Sequence, residues 1–275
     1  MSERMRIRAV VQCFCLIMLL ALTASVPVAT DRTVVVNATP RVGAEQRVLI
    51  LWPDGPPKAS VVLYAGGKGG IGIRKDGSIK RAGNFLVRSR DIFAKQGFLV
   101  AVPNRPSDWA GSNPFHYRLT EAHAADAAAL IRFLRQLADV PVWLVGTSRG
   151  SISAANNAAR LGRDGPDGIV LTSSVVEPGE KVRPTVQDAD LERVTVPTLI
   201  LGHEDDGCYV TLWDDQMALA RLFENAPAVE TIVVSGGNAG DLSRECGPYA
   251  HHGFLGVEDR VVARIADWIQ SQSPR

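Results

Sequence analysis

Residues 141–153 read Pro141-Val142-Trp143-Leu144-Val145-Gly146-Thr147-Ser148-Arg149-Gly150-Ser151-Ile152-Ser153. The first half is a short apolar run, the pattern of a buried strand. The second half continues into Ala154 and Ala155, a run of small residues that suits a helix lying close to a sheet. Between them, Gly146-Thr147-Ser148-Arg149-Gly150 has G-x-S-x-G spacing. A strand that turns this sharply into a helix holds the central residue in a strained backbone conformation at the tip. The positions two before and two after that residue must then be tiny, because side chains there would collide. Gly146 and Gly150 meet that need, and they make Ser148 a candidate nucleophile. A plain Gly/Ser-rich turn would look alike, so the reading depends on finding partners for the serine.

The rest of the chain frames this unit. Apolar, β-branched runs predict strands at Thr33–Val36, Arg47–Trp52, Ser60–Tyr64, Phe98–Pro103, Val142–Gly146, Gly168–Thr172, Thr198–Gly202 and Glu230–Ser235. From the third onward they are largely continuous, as strands covered on both faces should be. Helical patterns lie between them, at Asn84–Gln96, Arg118–Ala138, Arg149–Leu161, Leu212–Glu224 and Val257–Ser271. Two leading strands followed by alternating β and α units predict an α/β fold. Its sheet would be doubly wound, mostly parallel and eight-stranded, with helices on both faces. The interval from Thr172 to Thr198 is about 25 residues, room for a helix and two loops but not for a large cap domain. An open site is therefore expected.

The N-terminus has the pattern of a secretory signal peptide. Arg4, Arg6 and Arg8 precede an apolar run from Ala9 to Leu22, broken only by Gln12, and small residues follow to Ala29. The run is about 14 residues, short against the roughly 20 of a bilayer span. The expected organisation is a removable segment over 1–29, cleaved between Thr23 and Thr30, and one domain over 30–275. Without Glu3, Arg4, Arg6 and Arg8, the 30 basic and 29 acidic residues of the chain balance to within one charge. That balance gives no electrostatic footprint for nucleic acid, and no stable membrane insertion is expected once the leader is gone. Cys13 and Cys15 would leave with the leader. Cys208 and Cys246 remain, and an even pair in an exported chain predicts a disulfide.

Partners for Ser148 can be sought at strand ends. The strand Thr198–Gly202 runs into His203-Glu204-Asp205-Asp206-Gly207-Cys208, a cluster of ionisable groups. The chain has five histidines, His116, His123, His203, His251 and His252, and only the last two follow the final strand. The loop after the third strand, Ala65-Gly66-Gly67-Lys68-Gly69-Gly70, has the glycines that let backbone approach a substrate closely. It is no phosphate loop, since neither G-x-x-x-x-G-K-[ST] nor G-x-G-x-x-G occurs there. His203 with Glu204 and Asp205 lacks the spacing of a metal site. Trp109 and Phe115 fit a pocket wall or plain packing equally well. Tyr249 could border the site, and Glu121 and Asp126 are expected to be solvated.

With these features in order, the chain from roughly Arg47 to Ser271 resembles the α/β-hydrolases. The resemblance implies a nucleophile, an acid and a base in that chain order, with Ser148 as nucleophile. It implies an oxyanion hole from the backbone amides of Arg149 and of the glycine loop, where Gly67 comes first and Lys68 next. Ala65-Gly66-Gly67 departs from the His-Gly start common in the family. Counting from Gly202 selects Asp205 as the acid. A subset of these enzymes, with H-x-x-D-x-C and C…H-G-F loops, matches Asp206 and His252 instead, and makes Cys208 and Cys246 neighbours of the acid and the base. The implied protein is a periplasmic or secreted serine hydrolase acting on a small-molecule carboxylic ester, with no metal or organic cofactor. An amidase or aminopeptidase with the same triad, or a cofactor-free peroxidase or acyltransferase, remains open. So does a non-catalytic binding protein, against which the full set of partners argues.

Overall fold

The computed structural model describes residues 33–109, 115–176 and 184–272. The proposed leader over 1–29 lies outside them. Eight strands form one sheet in the order β1-β2-β4-β3-β5-β6-β7-β8. They are β1 (Thr33–Asn37), β2 (Arg47–Leu51), β3 (Ala59–Tyr64), β4 (Phe98–Pro103), β5 (Val142–Thr147), β6 (Gly168–Thr172), β7 (Thr198–His203) and β8 (Val229–Val234). β2 is antiparallel to both β1 and β4. All pairs from β4 through β3 to β8 are parallel. The doubly wound, mostly parallel eight-stranded expectation therefore holds.

The continuous apolar strands have a simple cause. Successive side chains point to opposite faces, and both faces are covered. In β3, Val61 and Leu63 join one core layer, while Val62 and Tyr64 join the other. In β5, Trp143 and Val145 face the first layer, and Val142 and Leu144 the second. The first layer is closed by α1 (Phe85–Arg88), α2 (Arg90–Lys95) and α6 (Glu258–Gln272). The second is closed by α3 (Glu121–Leu137) and α4 (Gly150–Leu161), with a smaller share from the segment around α5 (Trp213–Ala218). Strand β8 departs from the expected pattern. As a sheet edge it leaves Glu230, Thr231 and Val233 exposed.

Two predicted helices are also interrupted. Asn84–Gln96 breaks at Ser89 into α1 and α2. The Leu212–Glu224 helix stops at Ala218 and tightens into a 3₁₀ turn over Leu219–Leu222. Arg118 lies in a 3₁₀ turn ahead of α3, which begins after Thr120, whose hydroxyl accepts from the His123 amide. Between β6 and β7 the described residues hold two short 3₁₀ turns, at Val186–Asp188 and Leu191–Arg193, packed into the second core layer.

The winding fixes where a site can form. From β3 the chain crosses to β4 on one side, then returns past β3 to β5 on the other. The carboxyl ends of β3 and β5 are thus neighbours whose outgoing loops part in opposite directions. Such a switch point leaves a crevice above the sheet.

Asp126 corrects the expectation that it is solvated. It is 1% exposed on α3 and receives two hydrogen bonds from the Arg41 guanidinium, both at 2.9 Å. The Tyr117 and Thr39 hydroxyls donate to the same carboxylate. This network ties the segment after β1 to α3, and its acceptor raises the Arg41 pKa further above the ordinary arginine value. Glu121, by contrast, is exposed. Asp126→Ala leaves the buried Tyr117 phenol without its acceptor and the Arg41 guanidinium with Asp108 alone, so we expect a loss of about 3 kcal/mol. Urea denaturation checks it; an unchanged midpoint would contradict the assignment.

Candidate active site

The turn after β5 has the strain its sequence predicts. Ser148 has φ +52°, a left-handed conformation costing a non-glycine residue about 1–3 kcal/mol. Its amide donates to Thr172 O of β6 at 2.9 Å, and the Ser151 hydroxyl donates back to Ser148 O at 2.6 Å. The flanking glycines are sterically required. A Cβ on Gly146 would stand 2.2 Å from Gly150 O, and one on Gly150 would stand 2.0 Å from Tyr64 O. Ser148 therefore sits where α4 starts hard against the end of β3.

The glycine loop after β3 closes over it. A Cβ on Gly66 would lie 3.0 Å from the Ser148 Cβ, so backbone passes within contact distance of the serine. Gly67 has φ +56° and opens toward free space. Sequence reasoning missed what holds this loop. Arg118 is fully buried, and it donates to Ala65 O at 2.9 Å, to Gly67 O at 3.1 Å and to Ser153 Oγ on α4 at 2.7 Å. Burial first, and the Arg149 charge second, lower the Arg118 pKa to about 10, so it remains a cation at neutral pH. Beside it His123 stays neutral, its pKa pushed down to about 3 by burial and then by Arg118.

The doubled candidates separate in space. Asp206 and His252 are both buried, and His252 Nδ1 donates to Asp206 Oδ2 at 3.1 Å. Asp206 also accepts from the Cys208 amide at 3.0 Å and from the Thr211 hydroxyl at 2.9 Å. Three donors thus converge on this one carboxylate. Thr211 and Ser173, whose hydroxyl donates to His252 O at 3.0 Å, carried no sequence signal. Asp205 is exposed and offers only its backbone carbonyl to His251. His251 stacks on His203 with ring centroids 4.4 Å apart. His203 is buried at the end of β7 and spends both ring nitrogens on backbone, Gly236 O and the Asp205 amide. In the cluster His203, Asp205 and His251, both ring nitrogens of His203 and Nδ1 of His251 are thus already engaged in hydrogen bonds.

Ser148, Gly66, Gly67 and His252 line a common cavity of about 700 Å³ at the switch point, which also includes Asn84, Phe85 and Cys246. This is the size range of small-molecule sites. Cys208 and Cys246 form a disulfide, with Cα atoms 4.6 Å apart. Trp109 packs on Tyr117, and Phe115 lies under the Arg149 guanidinium at 3.6 Å, so neither lines this cavity. Tyr249 is exposed and stands against Gly83 and Arg88.

A strand order with β2 antiparallel, the serine on a strained turn after β5 and an Asp–His pair after β7 and β8 decide the architecture. It is the α/β-hydrolase fold. No protein-family model and no curated protein sequence matches the chain. Solved structures do. A lidless α/β serine hydrolase from Xanthomonas campestris is 13% identical, with 86% of this chain and 95% of that one covered and a TM-score of 0.54. A thermostable carboxyl esterase from Bacillus coagulans is 15% identical, with 87% and 97% covered and a TM-score of 0.55. Esterase 2 from Thermogutta terrifontis is 14% identical, with 89% and 97% covered and a TM-score of 0.59.

Two expectations follow from this α/β-hydrolase geometry. Gly150→Ala puts a methyl into the Tyr64 carbonyl, so the protein should lose more than about 3 kcal/mol or fail to accumulate, whereas Ala154→Gly should cost only about 1 kcal/mol. Thermal denaturation compares the two, and equal melting temperatures would contradict the packing. Replacing both Cys208 and Cys246 by Ser opens a loop with a sequence separation of 38. The chain-entropy loss is about 4 kcal/mol. Melting of the double variant beside oxidised and reduced wild type measures it. No difference among the three would contradict a clamping role.

Proposed function

We propose that this protein is an exported serine hydrolase that cleaves carboxylic esters. One observation carries the reading: a buried, hydrogen-bonded Asp206–His252 pair opens on the same cavity as a serine held at positive φ. A serine hydroxyl is a weak nucleophile at neutral pH and needs a positioned base. With Nδ1–H committed to Asp206, the other ring nitrogen of His252 carries the lone pair.

In this reading the Ser148 Oγ attacks the acyl carbon and His252 Nε2 takes its proton. Asp206 holds the imidazole in that tautomer and stabilises the cation that forms. The amides of Gly67 and Arg149 receive the developing alkoxide, and His252 then protonates the leaving alcohol. Water hydrolyses the acyl-enzyme by the same steps in reverse roles. Arg118 is a positioning residue, since it holds Ala65 O and Gly67 O and so directs the adjoining amides. The neighbours described as an esterase, a carboxyl esterase and a serine hydrolase support the reaction class. The Cys208–Cys246 disulfide supports an oxidising compartment, hence export to a periplasm or to the outside.

Ser148→Ala should fold normally and lose ester hydrolysis by about 10³-fold or more, the oxyanion donors remaining. Asp206→Asn and His252→Ala should each be far more damaging than Asp205→Asn and His251→Ala. Steady-state kinetics on a panel of p-nitrophenyl esters and aminoacyl amides measures both points. Near wild-type turnover by Ser148→Ala would refute the mechanism. Damage confined to the Asp205 and His251 variants would overturn the assignment of acid and base.

A further inference from the structure

The cavity that holds Ser148 has a wall of one charge. Lys68, Arg81 and Arg105 line it, and among the described residues no aspartate or glutamate does. The two arginines converge on one residue. Arg81 Nη1 donates to Gly70 O at 2.8 Å, and a Cβ on Gly70 would stand 3.6 Å from the Arg105 guanidinium carbon. Arg105 Nη1 approaches Lys68 O at 3.4 Å. Lys68 and Arg81 are exposed at the mouth of the cavity, and Arg105 is half-buried. Among the described residues, neither Lys68 nor Arg81 forms an ion pair with a carboxylate. Burial first, then the Arg81 charge, lower the Arg105 pKa.

Gathering like charges costs free energy in proportion to their nearness, most of all at a partly water-excluded wall. The chain as a whole is close to neutral, so a cationic background does not account for the cluster. A ligand that brings a negative charge would relieve it. Guanidinium groups present paired N–H donors that match carboxylate and phosphate oxygens. The same loop carries Gly66 and Gly67, so the cationic wall and the backbone beside Ser148 form one continuous surface.

We propose that Lys68, Arg81 and Arg105 bind an anionic oxygen-acid group, carboxylate or phosphate, carried by the substrate. This deepens the hydrolase reading and rests on it for the reaction, though not for the binding. The substrate class is then an ester that bears a free acid group at a distance from the scissile bond.

The test compares mono-p-nitrophenyl glutarate with p-nitrophenyl valerate, equal in chain length and differing in a terminal carboxylate. The wild-type ratio of kcat/KM should favour the glutarate by roughly 10-fold, the scale of one charge-assisted hydrogen-bond set. It should fall toward one in Arg81→Gln and in Arg105→Gln, and also as salt is raised. Arg264→Gln, an exposed charge on α6, should leave it unchanged and controls for net charge. Free glutarate and inorganic phosphate as competitive inhibitors distinguish the two acid groups by which one inhibits more strongly. A binding arm stands apart from catalysis: Ser148→Ala protein should bind monomethyl glutarate more tightly than methyl valerate by calorimetry. A wild-type ratio of one or below, a ratio indifferent to both arginines, or equal binding in that arm would overturn the proposal. Absence of turnover on either ester would instead overturn the hydrolase reading, with the binding arm still deciding the anion site.

Discussion

The structure depends on one close approach, that of Gly150 to the Tyr64 carbonyl at the end of β3. Space for a methyl group is lacking there by a wide margin, since it would lie 2.0 Å from the oxygen. That contact sets α4 directly under the switch point and forces the chain to leave β5 through a left-handed serine. It also brings the glycine loop across the serine, because Gly66 meets Ser148 in the same space. The strain at Ser148 persists because the surrounding backbone leaves no alternative, with its amide tied to β6 and its carbonyl to Ser151.

A second set of constraints fixes the Asp206 and His252 side of the cavity. Gln216 on α5 is buried, donating to Thr211 O at 2.6 Å and accepting from the Ser174 amide at 2.8 Å. Thr211 in turn donates to Asp206, and Ser173, itself at φ +40°, donates to His252 O. The disulfide joins the residue two after Asp206 to the one six before His252. Loops from three strands are thus bonded to one another rather than placed independently. On the opposite side, Arg118 does comparable work for the glycine loop, as a buried cation whose acceptors are two carbonyls and a hydroxyl.

What was legible in the sequence is what periodicity and small residues encode. All eight strands and the glycine–serine turn fall where apolar runs and glycines place them, and for β3 to β7 the cause is that parallel strands covered on both faces leave little freedom. The edge position of β8 and the break at Ser89 were not legible, since neither pairing at an edge nor a kink changes composition. Counting from Gly202 selects Asp205, whereas the carboxylate bonded to His252 is that of Asp206, because an irregular loop has no period to count along. The distinction comes from which one the Thr211 hydroxyl and the Cys208 amide reach. Asp126 was misread as solvated because its partner Arg41 lies 85 positions away. Arg118 escaped notice for the same reason, as its partners are backbone carbonyls and a hydroxyl 35 or more positions away, and Thr211 because a threonine in an irregular loop carries no pattern of its own.

The account as a whole rests on Ser148 being an activated nucleophile. The most direct measurement is reaction of the native, disulfide-intact protein with a fluorophosphonate, followed by peptide mass spectrometry. The account predicts one covalent phosphonyl group, carried by the peptide that contains Ser148 and absent from heat-denatured protein. An unmodified Ser148 peptide after full exposure, or an adduct located on another residue, would contradict it.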